Sequence, residues 1–297
     1  MASRTSREPL YIYGPAGVRQ FVQTALTVSA TTFFQVPLIF SEIYAQEPAR
    51  TSDFKPASDF FIPPDSSATI LETDSMRVVA GHIKHRVHCY GYVMAERDAP
   101  GRLDTAKLMA AGVRPGPIYK DIKAATQGNR TLILPDGTEL QPGAFVGPPK
   151  PGRKVVLLGD TYDPSGVMAA GAGADVLVHE ATLPDQWTDR AVSRGHSTPR
   201  MAGDVARRMG ARNLVLTHFS PRFEERDDES ERWPSVDALV DSAASESGGP
   251  VIGAKDFMVI DVPPRRHDEA LLSVRVSLPP TRDHQTLQQD PIGDVTL

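Results

Sequence analysis

The sequence predicts an α/β fold in which helices form layers against a sheet of parallel strands. Short apolar runs of strand length occupy residues 154–158, 175–178 and 213–217. Residues 199–209, between the second and third runs, carry a helical pattern with Pro199 at the first helical position. Because strands that alternate with helices form sheets covered by those helices, this central block is predicted to be α/β.

The N-terminal third adds a strand, a helix and a pair of strands. A short strand is predicted at residues 10–13, and a helix with one apolar face follows over residues 18–25. Residues 45–67 are rich in Pro, Ser and Asp and are predicted to form a loop. Two strands are then expected at residues 76–80 and 90–94, on either side of a segment that contains three histidines.

Residues 99–128 are expected to form an arm that projects from this domain. A short helix is predicted at residues 103–111, and the Pro-rich turn at 112–117 prevents it from continuing. Lys120 and Lys123 follow this turn and give the arm positive charge.

One domain is predicted over residues 1–262, with the arm as an insertion. The tail at 263–297 is expected to be disordered, because it is rich in Pro, Arg and Gln. Within the domain, Asp136-Gly137 predicts a hairpin turn, and the last strand is expected at residues 257–262.

Composition limits the partners and the compartment that fit this chain. The 32 Lys and Arg residues against 37 Asp and Glu residues give a net charge of −5, so nucleic-acid binding would depend on local basic patches. The single cysteine, Cys89, excludes an intramolecular disulfide and a cysteine-based zinc finger. The most apolar window, at about residues 24–40, contains Gln35 and Pro37 and is too polar to span a membrane. We therefore expect a soluble intracellular protein.

Polar residues that end the predicted strands of the central block are candidate metal ligands. Asp160 follows the first apolar run, His179 the second and His218 the third. The carboxyl ends of neighbouring parallel strands meet at one edge of a sheet, where α/β proteins build their sites. Asp160 and His218 together favour zinc, with manganese or iron as poorer fits. The alternatives are a capping role for Asp160 and a structural role in the core for each histidine.

Three histidines near the predicted strand pair are candidates for a further ligand. They are His82, His85 and His88, which are spaced three residues apart. This spacing is not a ligand signature on a strand or a loop, so spacing alone prefers none of the three.

His196 and Glu180 are candidates for proton transfer. His196 lies just before the predicted helix at 199–209, where Ser197 or Thr198 would cap the helix. An imidazole on such a loop can act as a general acid, and Glu180 can orient it. The alternative is that Glu180 satisfies buried backbone groups.

These motifs, in this order, resemble ribonuclease Z, the family of zinc endoribonucleases that trim the 3′ trailer from precursor tRNA. The matching motifs are Gly159-Asp160-Thr161, His179-Glu180-Ala181-Thr182, Gly195-His196-Ser197-Thr198 and Thr217-His218-Phe219-Ser220. The resemblance is closest to the short, ELAC-type form and extends over about residues 8–262, through Ile12-Tyr13-Gly14-Pro15, the segment 85–92 and the segment 254–258. It implies the αββα sandwich of the metallo-β-lactamase fold and two zinc ions in a complete site.

The resemblance also assigns roles to the candidate residues. His85, Asp160 and His218 correspond to metal ligands, and Asp160 is similar to the carboxylate that bridges the two ions. Glu180 and His196 correspond to the pair that protonates the departing ribose oxygen.

Residues outside the metal site would hold the substrate. Gly116 and Pro117 match the Gly-Pro segment of the family's tRNA-grasping arm, and Lys120 and Lys123 would contact tRNA phosphates. Arg222 is a candidate phosphate contact, with pairing to the acidic loop that follows it as the alternative. The resemblance further implies a homodimer. We also expect no membrane association, and a cytoplasmic location with the nucleus as a second compartment.

One motif of the family is absent from this sequence. The first ligand motif, His-x-His-x-Asp-His, does not occur in the 297 residues. Each zinc would then keep two protein ligands, fewer than the three that are usual at catalytic sites. We expect an N-terminally truncated chain that is a poor nuclease by itself. Its strands are also expected to lack the partner sheet that the missing segment supplies.

Two other functions are compatible with the sequence. A phosphodiesterase or an arylsulfatase that acts on small substrates would share the fold but lack the Gly-Pro arm. A non-catalytic partner of a full-length subunit would keep the fold without the first ligands. Binding of tRNA through Lys120 and Lys123 would favour the ribonuclease, whereas mixed complexes would favour the non-catalytic partner.

Overall fold

The structure is a computed structural model that describes residues 8–29, 36–46, 59–127, 130–133, 137, 139–221, 234–265 and 274–277. Arg222, the acidic run at 224–231 and most of the predicted tail lie outside these residues.

The described residues form helices and strands that alternate along the second half of the chain. The helices are α1 (Val18–Val28), α2 (Thr105–Ala110), α3 (Ile118–Gln127), α4 (Ser165–Gly171), α5 (Thr188–Ser193), α6 (Pro199–Met209) and α7 (Val236–Ser247). The strands are β1 (Leu10–Pro15), β2 (Leu38–Tyr44), β3 (Phe60–Phe61), β4 (Ser67–Glu72), β5 (Met76–Ile83), β6 (Cys89–Glu96), β7 (Leu132–Ile133), β8 (Glu139–Leu140), β9 (Lys154–Leu157), β10 (Val176–Glu180), β11 (Leu214–Thr217), β12 (Val251–Gly253), β13 (Val259–Asp261) and β14 (Arg275–Ser277).

A large mixed sheet contains seven strands in the order β12-β11-β10-β9-β6-β5-β4. Strands β9 to β12 run parallel to one another. The other neighbours in the sheet pair antiparallel: β4 with β5, β5 with β6, and β6 with β9. The carboxyl ends of β9, β10 and β11 therefore meet at one edge of the sheet. This arrangement confirms the predicted α/β class.

Helices α4, α6 and α7 cover one face of the large sheet. Leu177 on β10 and Leu216 on β11 are fully buried on this face. They share one apolar cluster with Val167 of α4, Ala202 of α6 and Ala243 of α7. This core fixes the strands whose ends carry the candidate site.

A small parallel sheet, β1-β2-β3, packs against the opposite face. Ile43 of β2 and Ile62 contact Ile70 of β4, Ala80 of β5 and Tyr90 of β6 in a second apolar cluster. The expectation that these strands would lack a partner sheet is therefore wrong for β4, β5 and β6.

Helix α1 lies on the far side of the small sheet. Tyr13 of β1 packs into the cluster between the two sheets, whereas a Cβ atom at Gly14 would lie 3.2 Å from Val18 of α1. Successive side chains of a strand point to opposite faces, so α1 and the large sheet flank the small sheet. The layers follow the predicted αββα order. The small sheet does not cover all of the large sheet, since Leu157 of β9 is 39% exposed.

The arm region forms a small unit with its own core. Leu108 of α2, Ile122 of α3 and Leu140 of β8 are buried together with Val113 from the turn between the helices. Helix α3 occupies residues for which the sequence predicted only an arm. Strands β7 and β8 pair antiparallel, as expected for a hairpin around Asp136-Gly137.

Some elements differ from the sequence predictions. Helix α6 has its predicted bounds, but β2, α4 and α7 were not predicted. Helix α4 consists mainly of Gly, Ala and Ser and so has no amphipathic pattern. Strand β14 pairs with β13, so the structure differs from the predicted disordered tail at these residues. No helix in the described part of the chain is long and apolar enough to cross a membrane.

Candidate active site

Four predicted site residues converge at the edge where β9, β10 and β11 end. Asp160 lies in the loop after β9, Glu180 is the last residue of β10, His218 directly follows β11, and His196 precedes α6. One potential ligand atom from each of these four side chains lies within 4.8 Å of those of the other three. Three strand ends and one helix start therefore build a single cluster of carboxylates and imidazoles.

The carboxylate of Glu180 is buried and is the centre of the hydrogen bonds in this cluster. Its side chain is 2% exposed. Its Oε1 atom accepts from the Thr161 backbone N–H at 2.7 Å and lies 3.1 Å from His196 Nδ1. Its Oε2 atom accepts from the Ser197 backbone N–H at 3.1 Å and from the Thr182 hydroxyl. Four donors thus fill the acceptor positions of an ionised carboxylate.

The contact with Glu180 defines the proton on His196. A carboxylate oxygen accepts but does not donate, so His196 Nδ1 carries a proton and donates it to Oε1. The other ring nitrogen, Nε2, is then the atom that can exchange a proton with a bound group. The ring of His196 stacks on that of His218, with 5.4 Å between the centroids.

His85 joins the site through Gly195. Its Nδ1 atom lies 2.7 Å from the Gly195 carbonyl oxygen, so this nitrogen is also the donor and Nε2 keeps its lone pair. The His85 ring meets that of His196 edge to face at a centroid distance of 4.9 Å. Gly195 has a φ angle of +83°, and a Cβ atom there would lie 2.5 Å from His85 Nδ1. This contact therefore requires glycine.

His218 is held at the exposed rim of the cluster. Its φ angle is +56°, a left-handed conformation that is uncommon for a residue with a side chain. Its Nδ1 atom lies 2.7 Å from Thr182 Oγ1 and 3.6 Å from Asp160 Oδ1. The His218 side chain is 48% exposed and that of Asp160 is 38% exposed, so both are accessible to a ligand.

The donor set of this cluster fits a metal ion. Imidazole and carboxylate groups are the usual ligands of zinc and of other first-row transition metals. Asp160 and Glu180 bring negative charge to the cluster, and burial followed by these two charges raises the pKa of the nearby Cys89 thiol. Four donors already occupy the carboxylate of Glu180. Asp160 and His218 are therefore the members of the cluster with more room to bind a cation.

The chain is similar to known ribonucleases in sequence and in fold. The chain is 37% identical to ribonuclease BN of Citrobacter koseri and 36% identical to that of Escherichia coli K12 over 219 residues, which make up 74% of this chain and 63% of each relative. Human tRNase Z, short form, has a TM-score of 0.51 and 26% identity over 87% of this chain and 70% of that chain. The chain is of the ribonuclease Z type. Its fold is that of the metallo-β-lactamases.

The matched ribonuclease BN relatives are longer than the region that this chain shares with them. This ribonuclease Z-type chain spans 63% of the length of the ribonuclease BN relatives. No protein-family model matches it.

The remaining histidines of the ribonuclease Z-type chain lie outside the cluster. His179 is completely buried, its Nδ1 atom donates to the Glu180 carbonyl oxygen at 2.8 Å, and burial lowers its pKa. His82 is 9% exposed, and its ring contacts those of His88 and Tyr90. Of the three histidines that spacing could not rank, the structure brings His85 to His196.

The predicted substrate contacts lie on the arm. Lys120 and Lys123 are exposed on α3, and Gly116 and Pro117 are exposed in the turn before it. Arg222 falls outside the described residues, so its predicted phosphate contact stays a prediction.

Two residues of the site were not singled out from the sequence. Thr182 contacts both Glu180 and His218, and Gly195 positions His85. Both belong to the motifs that carry the family resemblance, but nothing in their spacing indicates these contacts, which join segments far apart in the chain.

Proposed function

We propose that the complete protein is a zinc-dependent endoribonuclease that removes the 3′ trailer from precursor tRNA. The observation that carries this proposal is the convergence of Asp160, Glu180, His196 and His218 within 4.8 Å. It occurs at the strand ends of a chain that is 37% identical to a ribonuclease BN.

His85, Asp160 and His218 would hold the metal. A zinc ion held by these residues would supply a Lewis acid that polarises the phosphate and makes the attacking water more acidic. In the family arrangement there are two zinc ions, and further ligands come from a His-x-His-x-Asp-His segment that these 297 residues do not contain. The activity proposed here is therefore that of the complete protein, and we expect this chain alone to be weak or inactive.

Glu180 and His196 would supply the proton for the departing ribose oxygen. Glu180 holds the Nδ1–H group of His196 at 3.1 Å, which directs the ring and leaves Nε2 as the proton donor when the imidazole is charged. The Glu180 side chain is 2% exposed, so water competes little for this contact.

The arm would hold the tRNA away from the site of cleavage. Lys120 and Lys123 on α3 supply positive charge for phosphate contacts, and Gly116 and Pro117 shape the turn before the helix. Arg222, four residues after His218, would contact a phosphate near the site. We also propose a homodimer and a cytoplasmic location, with the nucleus as a second compartment.

Cleavage of labelled precursor tRNA tests this function. The rate of trailer release is measured for this chain and for the translation product of its complete reading frame, with and without zinc. We expect Asp160→Asn and His196→Gln to lower the rate of the active form by at least about 100-fold. Asp204→Asn, on the exposed part of α6, is the matched control and should keep the rate.

Two results would overturn the proposal. One is hydrolysis of small phosphodiesters or sulfate esters by the complete product without cleavage of precursor tRNA. The other is unchanged cleavage after removal of zinc by a chelator.

A further inference from the structure

We infer that Thr182 is a positioning residue that fixes the tautomer and the ring orientation of His218. The geometry of its hydroxyl group carries this inference. Thr182 Oγ1 donates to Glu180 Oε2 and lies 2.7 Å from His218 Nδ1, so one hydroxyl connects a buried carboxylate with an exposed imidazole.

The number of protons on this hydroxyl decides the direction of both hydrogen bonds. A hydroxyl has one proton to donate, and an ionised carboxylate has none. The backbone N–H groups of Thr161 and Ser197 confirm that the Glu180 oxygens act as acceptors. The Thr182 proton therefore points to Glu180, and its contact with His218 requires a proton on His218 Nδ1.

This assignment leaves the lone pair of His218 on Nε2. A neutral imidazole binds a metal through the nitrogen that carries no proton, and a partner at the other nitrogen fixes the choice. Thr182 thus prepares His218 Nε2 as the ligand atom before any metal arrives. The metal is part of the proposed function, and the inference rests on it to that extent.

Little else fixes the His218 ring. Its side chain is 48% exposed, its backbone has a φ angle of +56°, and Asp160 Oδ1 lies beyond hydrogen-bond distance at 3.6 Å. The stacked His196 ring restrains its plane but cannot select a tautomer. Within the described part of the chain, Thr182 provides the hydrogen bond that can select it.

The tautomer can be measured in the metal-free protein without any assay of nuclease activity. Histidine labelled with ¹⁵N gives separate signals for protonated and unprotonated ring nitrogens at neutral pH. We expect His218 to carry its proton on Nδ1 in the wild-type protein and in Thr182→Ser. In Thr182→Val, which keeps the shape but removes the hydroxyl, we expect a mixture or a shift to Nε2–H. A wild-type His218 with its proton on Nε2 would overturn the inference without the need for any variant.

Zinc affinity gives the second readout, measured by competition with a chromophoric chelator. Loss of a group that orients a ligand typically weakens metal binding by about 10- to 100-fold. We expect that loss in Thr182→Val and full affinity in Thr182→Ser. Thr198→Val is the matched control, because the Thr198 hydroxyl is buried without a hydrogen-bond partner, and this variant should bind zinc like the wild type.

The possible outcomes separate the inference from the proposed function. Wild-type affinity and an unchanged tautomer in Thr182→Val would overturn the inference alone. Equal losses in the Ser and Val variants would also overturn it, because the methyl group and not the hydroxyl would then matter. A complete wild-type product that binds no zinc while its His218 shows the expected tautomer would refute the metal centre and leave the role of Thr182 intact.

Discussion

The Nδ1 atom of His85 lies 2.7 Å from the carbonyl oxygen of Gly195, and this contact joins two segments that are 110 residues apart. It holds the His85 ring against His196 and leaves His85 Nε2 free to bind a ligand. The close approach depends on the absence of a side chain at Gly195. A histidine on the β5–β6 turn thus becomes part of a site built by β9, β10 and β11.

We predict that Gly195→Ala destabilises the protein more than Gly173→Ala. Both glycines have positive φ angles, but a Cβ atom at position 173 meets nothing within 4 Å, whereas one at position 195 lies 2.5 Å from His85 Nδ1 and 3.0 Å from the Arg86 nitrogen. Backbone strain alone should cost about 1–2 kcal/mol in the control. The added clash should bring Gly195→Ala to about 3 kcal/mol. Urea denaturation measures both, and equal losses would contradict the close approach.

We predict a large loss of stability for Glu180→Gln. The amide group places a donor where the carboxylate accepts two hydrogen bonds, and the side chain is 2% exposed, so water cannot replace them. The free energy of unfolding should fall by about 3 kcal/mol. Glu246→Gln is the control, since its pair with Arg200 is at the surface and should contribute less than about 1 kcal/mol. Similar thermal midpoints for the two variants would contradict the buried network.

The stability of the protein should fall at mildly acidic pH because of His82. Burial, and then the charge of His88, lowers the pKa of His82 from its ordinary value of 6.5, while Asp65 opposes this shift and Lys84 adds to it. Below 6.5 the unfolded chain binds a proton that the folded protein binds less readily, so stability is lost as the pH falls.

The variant His82→Phe tests this dependence. It keeps an aromatic ring against Tyr90 but removes the titrating group. The wild-type free energy of unfolding should fall more steeply than that of the variant between about pH 7 and pH 5. Parallel curves from denaturation at each pH would show that His82 does not contribute.

Neutralising two lysines of the arm should weaken tRNA binding in a salt-dependent way. Each phosphate contact contributes about 0.7–0.9 to the slope of log K against log salt, so Lys120→Gln with Lys123→Gln should reduce that slope by about 1.5. The double variant Arg207→Gln with Arg208→Gln removes the same charge from α6, where both side chains pair with Asp204. Equal effects of the two double variants would assign the binding to net charge and not to the arm.

The sequence predicted the elements that have strong local patterns. The apolar runs of β9, β10 and β11 and the Pro-initiated helix α6 were predicted because hydrophobic periodicity and capping residues act over a few positions. Helix α4 was missed because its small residues give no periodic signal, and it is helical through its packing against β5 and β6.

The sequence also predicted part of the candidate site, namely the residues that follow strand ends. Asp160 and His218 follow strand ends, so their position at one edge of the sheet follows from topology. The choice among His82, His85 and His88 did not follow from spacing and came from the family resemblance. The roles of those residues in metal binding and proton transfer stay predictions.

By itself, the sequence determined which residue types end the parallel strands, and therefore that carboxylates and imidazoles share one edge of the sheet. Only the tertiary structure decided which atoms meet there. The hydroxyl of Thr182 lies between Glu180 and His218, and the carbonyl of Gly195 faces His85. Local patterns specify secondary structure because they act through neighbours in the chain. Hydrogen bonds across the site form only when the donor–acceptor distances are correct to within a few tenths of an ångström. The packing of segments that are distant in the chain sets these distances.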